Sequence, residues 1–262
     1  MNTKTVAVGL LIILLLAGSG CRGRKTELNL DTAASDEALF KLGQDSVRRD
    51  PERARIYFRQ VIDSFPKSIF AERAKLAIAD SYFSRKEEGN MIMAAAEYRE
   101  FINLYPLSPS VAYAQYQVAM TYFSSILKPG RDQTKTQQAL VEFKKVMANY
   151  PLSEESKNAQ MHIKECEERL AAHEFGIAHH YYKVYAFSAS TARLLGILTE
   201  YPAYSGMEDV YYYLADSYFL WGQAEKSVPF FTKVISDYPK SKLAKKAQER
   251  LTEINARPKE KK

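Results

Sequence analysis

The chain has 262 residues, of which 46% are apolar, and a formal net charge of +6. Two cysteines exclude a disulfide framework, and four histidines leave little from which to build a metal centre. Tyrosine is the unusual count, at 18 beside 13 phenylalanines.

At the N-terminus Lys4 precedes a mostly apolar run from Val6 to Ala17, followed by Gly18-Ser19-Gly20-Cys21. A short positive region and about a dozen apolar residues have the form of an export signal, too short to span a bilayer comfortably. The cysteine placed after small residues resembles a bacterial lipoprotein processing site, although Gly18 stands where leucine is usual. Cleavage there makes residues 1–20 a signal peptide and Cys21 the lipidated first residue of the mature chain. Residues 21–35 then form a flexible tether. Arg22, rather than aspartate, after that cysteine implies sorting to the outer membrane, on its periplasmic side. Export argues against nucleic acid as a partner.

Beyond residue 36 the chain repeats. An aromatic residue precedes proline five times: Phe65-Pro66, Tyr105-Pro106, Tyr150-Pro151, Tyr201-Pro202 and Tyr238-Pro239. Eight residues before each proline stand Phe58, Tyr98, Phe143, Leu194 and Phe231; four before stand Ile62, Ile102, Met147, Leu198 and Ile235. Twelve after come Ile78, Val118, Ile163, Leu214 and Leu251. The i, i+4, i+8 spacing is one stripe of a helix. Proline cannot continue that helix, and it biases the residue before it away from helical geometry. A serine two or three residues later (Ser68, Ser108, Ser153, Ser205, Ser241) stands where the next helix needs an N-cap, and Ser205 with Glu208 has capping-box spacing. Ala74, Ala94, Ala114, Ala139, Ala159 and Ala247 stand where paired helices cross closely.

In chain order the predicted helices cover 36–49, 51–64, 68–84, 89–104, 110–127, 135–149, 153–183 (one long or two abutting), 186–200, 207–221, 224–237 and 240–254. The expected fold is all-α: an α-solenoid of about five tetratricopeptide-like helical hairpins over 36–254. It divides into an N-terminal half, 36–127, and a C-terminal half, 135–254, with 255–262 as a basic disordered tail. The proline intervals are 40, 45, 51 and 37 residues. The repeat is least regular between Pro151 and Pro202.

Motifs for chemistry are missing. No Gly-rich phosphate loop or nucleophile elbow occurs, and His173, His179 and His180 meet no cysteine or carboxylate cluster at a metal-binding spacing. The reading is therefore no catalysis, no metal and no cofactor. Cys166 reads as a buried, inert thiol; Glu87-Glu88 and Glu167-Glu168 read as solvated helix surface. Tyr82, Tyr122 and Tyr218 each lie sixteen residues after a proline. Aromatic rings exposed on a solenoid wall would anchor an extended peptide or a partner domain.

Three stretches carry a family resemblance: Arg131-Asp132, ALVEFKKVMANYPLSEESKNA from Ala139, and LAAHEFGIAHHYYKVYAFSASTARLLGILTEYP from Leu170. With the lipoprotein-like start, the chain resembles the BamD family, tetratricopeptide-repeat lipoproteins of the outer-membrane β-barrel assembly machinery. The resemblance implies a non-catalytic subunit that docks on the periplasmic domain of the barrel-forming subunit and engages unfolded outer membrane proteins. Accessory lipoproteins are further implied partners, and a lipid anchor holds the chain to the membrane. Arg193 occupies the family's docking arginine, nine residues before its proline, and Arg131 and Asp132 join it as partner-docking residues. Tyr82, Tyr98 and Tyr122 fall where the family's N-terminal repeats receive substrate. Val184-Tyr185 replaces the family's Arg-Gly, so the close helix approach expected of that glycine must be arranged otherwise; Ala192 replaces its asparagine. The alternative function is a periplasmic scaffold lipoprotein organising cell-envelope or division machinery. A secretion-system accessory lipoprotein is the third.

Overall fold

The structure is a computed structural model that describes residues 35–256. The expected signal peptide, Cys21 with its tether up to residue 34, and the tail from 257 lie outside the described residues. Among the described residues eleven α-helices follow one another: α1 (Asp36–Ser46), α2 (Pro51–Ser64), α3 (Ile69–Phe83), α4 (Glu88–Leu104), α5 (Val111–Phe123), α6 (Thr134–Asn149), α7 (Glu154–Lys183), α8 (Phe187–Glu200), α9 (Met207–Leu220), α10 (Ala224–Asp237) and α11 (Lys242–Ala256). Each packs on its neighbours in sequence, which makes an all-α solenoid. Helix α11 takes in residues 255 and 256, which sequence reasoning assigned to the tail. No helix among these is long and apolar enough to cross a membrane.

The five Pro turns share one geometry. Phe65, Tyr105, Tyr150, Tyr201 and Tyr238 all leave helical geometry with φ from −133° to −126° and ψ from 51° to 58°. Each still donates its N–H to the carbonyl four residues back, at 2.9–3.0 Å, and accepts from the N–H three residues on, at 2.9–3.1 Å. The steric demand of the following proline ends the helix without stranding a backbone donor.

Ser68, Ser153 and Ser241 then cap the next helix through their hydroxyls. Ser108 and Ser205 do not: Ser110 and Gly206 take the N-cap positions, and the expected Ser205–Glu208 box is absent. The Ser205 hydroxyl and N–H bond to Glu168, and Glu208 accepts from the Ser241 hydroxyl. Ser68 pairs in the same way with Asp36, and Ser108 with Glu72. Stacking brings each of these carboxylates beside the turn of the next hairpin, so a tertiary partner wins over the local one. Glu168 is therefore a tie between hairpins rather than bare solvated surface.

The positions eight before each proline are all 0% exposed, and so are the six alanines named above. The second buried row lies five before the proline, not four: Val61, Phe101, Val146, Ile197 and Val234 are at most 1% exposed. Residues four before it, such as Ile62 and Ile102, pack at the edge of the core. Gly43 lets α1 cross α2 closely, because a Cβ there would lie 2.4 Å from a Phe58 ring carbon.

Helix α7 is one continuous helix of 30 residues, about 45 Å long. Ala159, Ile163 and Cys166 share a core with Ala119 of α5 and Phe143 of α6. Ala171 and Ala178 share another with Leu194 of α8 and Leu214 of α9. One helix thus contributes to two successive cores and joins them. Burial pushes the Cys166 thiol up to about 12, so it stays protonated and unreactive.

His162 of α7 stacks on Phe143 at 5.0 Å, touches Phe123 at 4.4 Å between ring centroids, and lies 3.0 Å from the Tyr116 hydroxyl. Desolvation holds it below its ordinary value of 6.5, against an opposing pull from Glu165. His179 is lowered by the same cause, with Lys183 assisting. The unfolded chain thus binds more protons than the folded one once pH falls through about 6.5, so acid lowers stability there. The urea midpoint is expected to drop between pH 7.5 and pH 5.5, and His162→Phe to flatten that drop. An unchanged slope in the variant would refute the assignment.

Candidate functional site

Two surfaces carry the residues singled out in the sequence. The first is a ladder in which a cation seven residues before a proline meets the residue sixteen after it. Arg59 donates to the Tyr82 hydroxyl at 3.4 Å, Arg99 to the Tyr122 hydroxyl at 2.9 Å, and Lys144 pairs with Glu167 at 2.9 Å. Arg55 also lies 4.1 Å over the Tyr82 ring, while Arg99 and Lys135 flank Tyr122 at 5.7 and 5.5 Å. Arg99 reaches Glu142 as well, a buried carboxylate that Lys145 and Gln115 also hold. Tyr122, Arg99, Lys135 and Met91 line a cavity of about 210 Å³.

Tyr98 does not belong to this surface. It is 0% exposed, and its hydroxyl donates to Asp80 at 2.6 Å, where Tyr113 also donates at 2.9 Å. Sixteen residues after a proline an aromatic reaches the surface; eight before it, the same residue type faces the neighbouring helix. Sequence reasoning missed the arginines, although Arg59 and Arg99 share a register that the repeat itself displays.

The second surface centres on α7. Arg193 donates to Glu174 at 2.8 Å and keeps its side chain 47% exposed. One residue earlier, His173 bonds through Nδ1 to the Pro129 carbonyl at 2.6 Å. A carbonyl can only accept, so Nδ1 carries the proton. Arg169 donates to the Leu127 carbonyl at 2.7 Å. These two contacts hold the loop that bears Arg131 and Asp132, whose carboxylate accepts from the Thr134 N–H and hydroxyl at the start of α6. A short stretch of α7, from Arg169 to Glu174, therefore holds both the Arg193 side chain and the start of the loop that leads to Arg131 and Asp132. All three are exposed.

Val184-Tyr185 lies beyond the far end of α7. Tyr185 has φ 63°, in the left-handed region, and is 80% exposed. Lys86 (φ 61°) and Gly222 (φ 81°) hold matching positions, each three residues after a pair of aromatics. The Ala186 N–H bonds to the Tyr181 carbonyl at 2.9 Å, closing the helix as a Schellman motif. A glycine in this place serves the backbone conformation rather than close helix approach, which corrects the expectation above. Tyr185→Gly is expected to raise stability by about 0.5–1 kcal/mol, read as a higher urea midpoint. A lower midpoint would show that the ring contributes more than the strain costs.

The family described as "YfiO: Outer membrane lipoprotein" matches residues 32–227. Among curated relatives, the outer membrane protein assembly factor BamD of Caulobacter vibrioides is 28% identical over 224 residues, covering 84% of this chain and 72% of the relative. The assembly factor BamD of Rickettsia prowazekii is 24% identical over 252 residues, 92% of this chain and 94% of its own length. Among solved structures, the TPR2AB domain of yeast Sti1 aligns with a TM-score of 0.42 at 10% identity, covering 83% of this chain and 84% of that one.

Proposed function

The chain belongs to the YfiO family of outer membrane lipoproteins, and from that premise we propose that it is a non-catalytic subunit of the machinery that assembles outer membrane β-barrel proteins. Cys21 carries the lipid that anchors it on the periplasmic side of the outer membrane. Two curated relatives carry the name assembly factor, which supports the role. What supports the finer reading is that one stretch of α7, from Arg169 to Glu174, holds both Arg193 and the loop leading to Arg131 and Asp132.

Arg193, half exposed and with donors to spare beyond its bond to Glu174, suits bidentate pairing with a carboxylate on the periplasmic domain of the barrel-forming subunit. Arg131 and Asp132, on the loop held beside it, extend that contact. The cation–tyrosine ladder of the N-terminal hairpins suits an extended, unfolded β-barrel segment: its tyrosine hydroxyls and the exposed Arg59 and Arg99 guanidinium groups offer hydrogen-bond partners to a peptide backbone.

Arg193→Glu in the lipidated chain tests the docking. Loss of a half-exposed ion pair costs the fold about 0–1 kcal/mol, so the variant should fold. It is expected to retain less than about a tenth of the co-purifying barrel-forming subunit, in line with losing a buried charge-paired contact. Wild-type recovery of that subunit, with normal insertion of barrel proteins after depletion of the chain, would sink the reading. Peptidoglycan enzymes among the recovered partners would favour the envelope-scaffold alternative instead.

A further inference from the structure

Leu107 and Leu152 are each 97% exposed, the two most exposed large apolar side chains among the described residues. Both directly follow the proline of a turn, Tyr105-Pro106-Leu107 and Tyr150-Pro151-Leu152. Lys67 holds the same place in the first turn, and Leu104 and Ile69, 56% and 70% exposed, flank the first two tips. Isolated leucines on protruding turns form no groove for a peptide. They are apolar points standing in solvent.

The edge that carries them is also where the chain enters the solenoid. Asp36, in the first turn of α1, accepts from Ser68 of the first Pro turn. Glu72, in the first turn of α3, accepts from Ser108 of the second. The third Pro turn leads directly into α7, the next helix of the same series. The fourth Pro turn is set back: it pairs with Glu168, roughly 21 Å along α7 from its start. Ser35 and the first three Pro turns therefore share one edge. Thirteen residues lie between Ser35 and Cys21. A chain of that length reaches no further than about 50 Å.

We infer that this edge rests on the phospholipid bilayer, with Leu107 and Leu152 inserted among the headgroups and Lys67 beside anionic lipid. The inference rests on lipidation of Cys21, proposed above. A tether this short keeps the edge close to the membrane, so two weakly inserting leucines suffice to orient a body that is already anchored.

The full lipidated chain tests this in vesicles of phosphatidylethanolamine and phosphatidylglycerol containing a nitroxide-labelled lipid. Cys166 is buried and Cys21 is acylated on sulfur, so Leu107→Cys, Leu152→Cys and Arg85→Cys each give one site for a fluorophore. Arg85 is exposed at the opposite end of α3. Probes at 107 and 152 are expected to be quenched roughly threefold more than at 85, as befits residues within the interfacial ~5–10 Å. Equal quenching at all three sites in vesicles that the protein floats with would overturn the inference and leave the anchor intact. Failure to float at all would instead overturn lipidation, and the orientation with it. Cross-linking of 107 and 152 to a protein partner in native envelopes, without lipid quenching, would also overturn it.

Discussion

Replacing Asp216 by alanine is expected to loosen the C-terminal hairpins and lower stability by about 3 kcal/mol, the lower end of the cost of breaking a buried ion pair. Asp216, on α9, is 1% exposed. One carboxylate oxygen accepts from the Tyr182 hydroxyl at the end of α7, at 2.6 Å, and the other from Arg250 Nε on α11, at 2.8 Å. One side chain thus ties three helices that do not follow one another in sequence. Its loss leaves the Tyr182 hydroxyl, which burial and Asp216 together hold protonated, without its acceptor. Arg250 keeps Glu253 at 3.0 Å and the Phe219 ring at 4.7 Å, which places the cost at the lower end. Asp216→Asn preserves shape and one acceptor and should cost about half as much. Because stability in a solenoid is a sum of neighbouring interfaces, amide exchange should quicken in α9 to α11 and stay slow in α2 to α5. A urea-measured loss under about 1 kcal/mol would refute this account.

Phe143→Ala is expected to cost about 3–5 kcal/mol at the opposite end of α7. Phe143 is 0% exposed, and its ring meets Tyr116 and Phe123 at 5.7 Å each besides stacking on His162. Removing it opens a cavity among aromatic groups too large to collapse into the space. Water entering there should also relieve the desolvation of His162 and weaken the acid sensitivity described above. Phe143→Leu should cost about 1.5 kcal/mol or less and keep most of that sensitivity. Paired urea titrations at pH 7.5 and 5.5 read both effects. A large stability loss with an undiminished acid slope would separate the histidine from this core.

The helices were legible because each proline marks a helix end and the apolar stripe before it keeps its phase. Phe58, Tyr98, Phe143, Leu194 and Phe231 are buried as that phase requires. The row five residues before the proline was missed since a stripe drawn at i+4 steps leans away from the true centre of the buried face. Of the site, Arg193 and Arg131-Asp132 were found through family resemblance. The hold of Arg169, His173 and Glu174 on Arg193 and on the loop before Arg131 was not, because the contacts span 19 to 44 residues. Ser205 and Glu208 failed as a capping box for the same reason: each has a better partner in another hairpin.

The sequence by itself determined a repeated helix–turn–helix solenoid, since those rules are local: stripe, proline and serine lie within one hairpin. It also pointed to an exported, lipid-bearing chain. Only the tertiary structure decided which aromatics face out. Tyr82 and Tyr122 reach arginines at the surface, while Tyr98 is closed in by Asp80 and Tyr113. It likewise showed that α7 is shared by two cores, and that the first three turns line the edge where the chain enters. Those facts depend on how hairpins stack, which is set by contacts between residues distant in sequence that a local pattern does not encode.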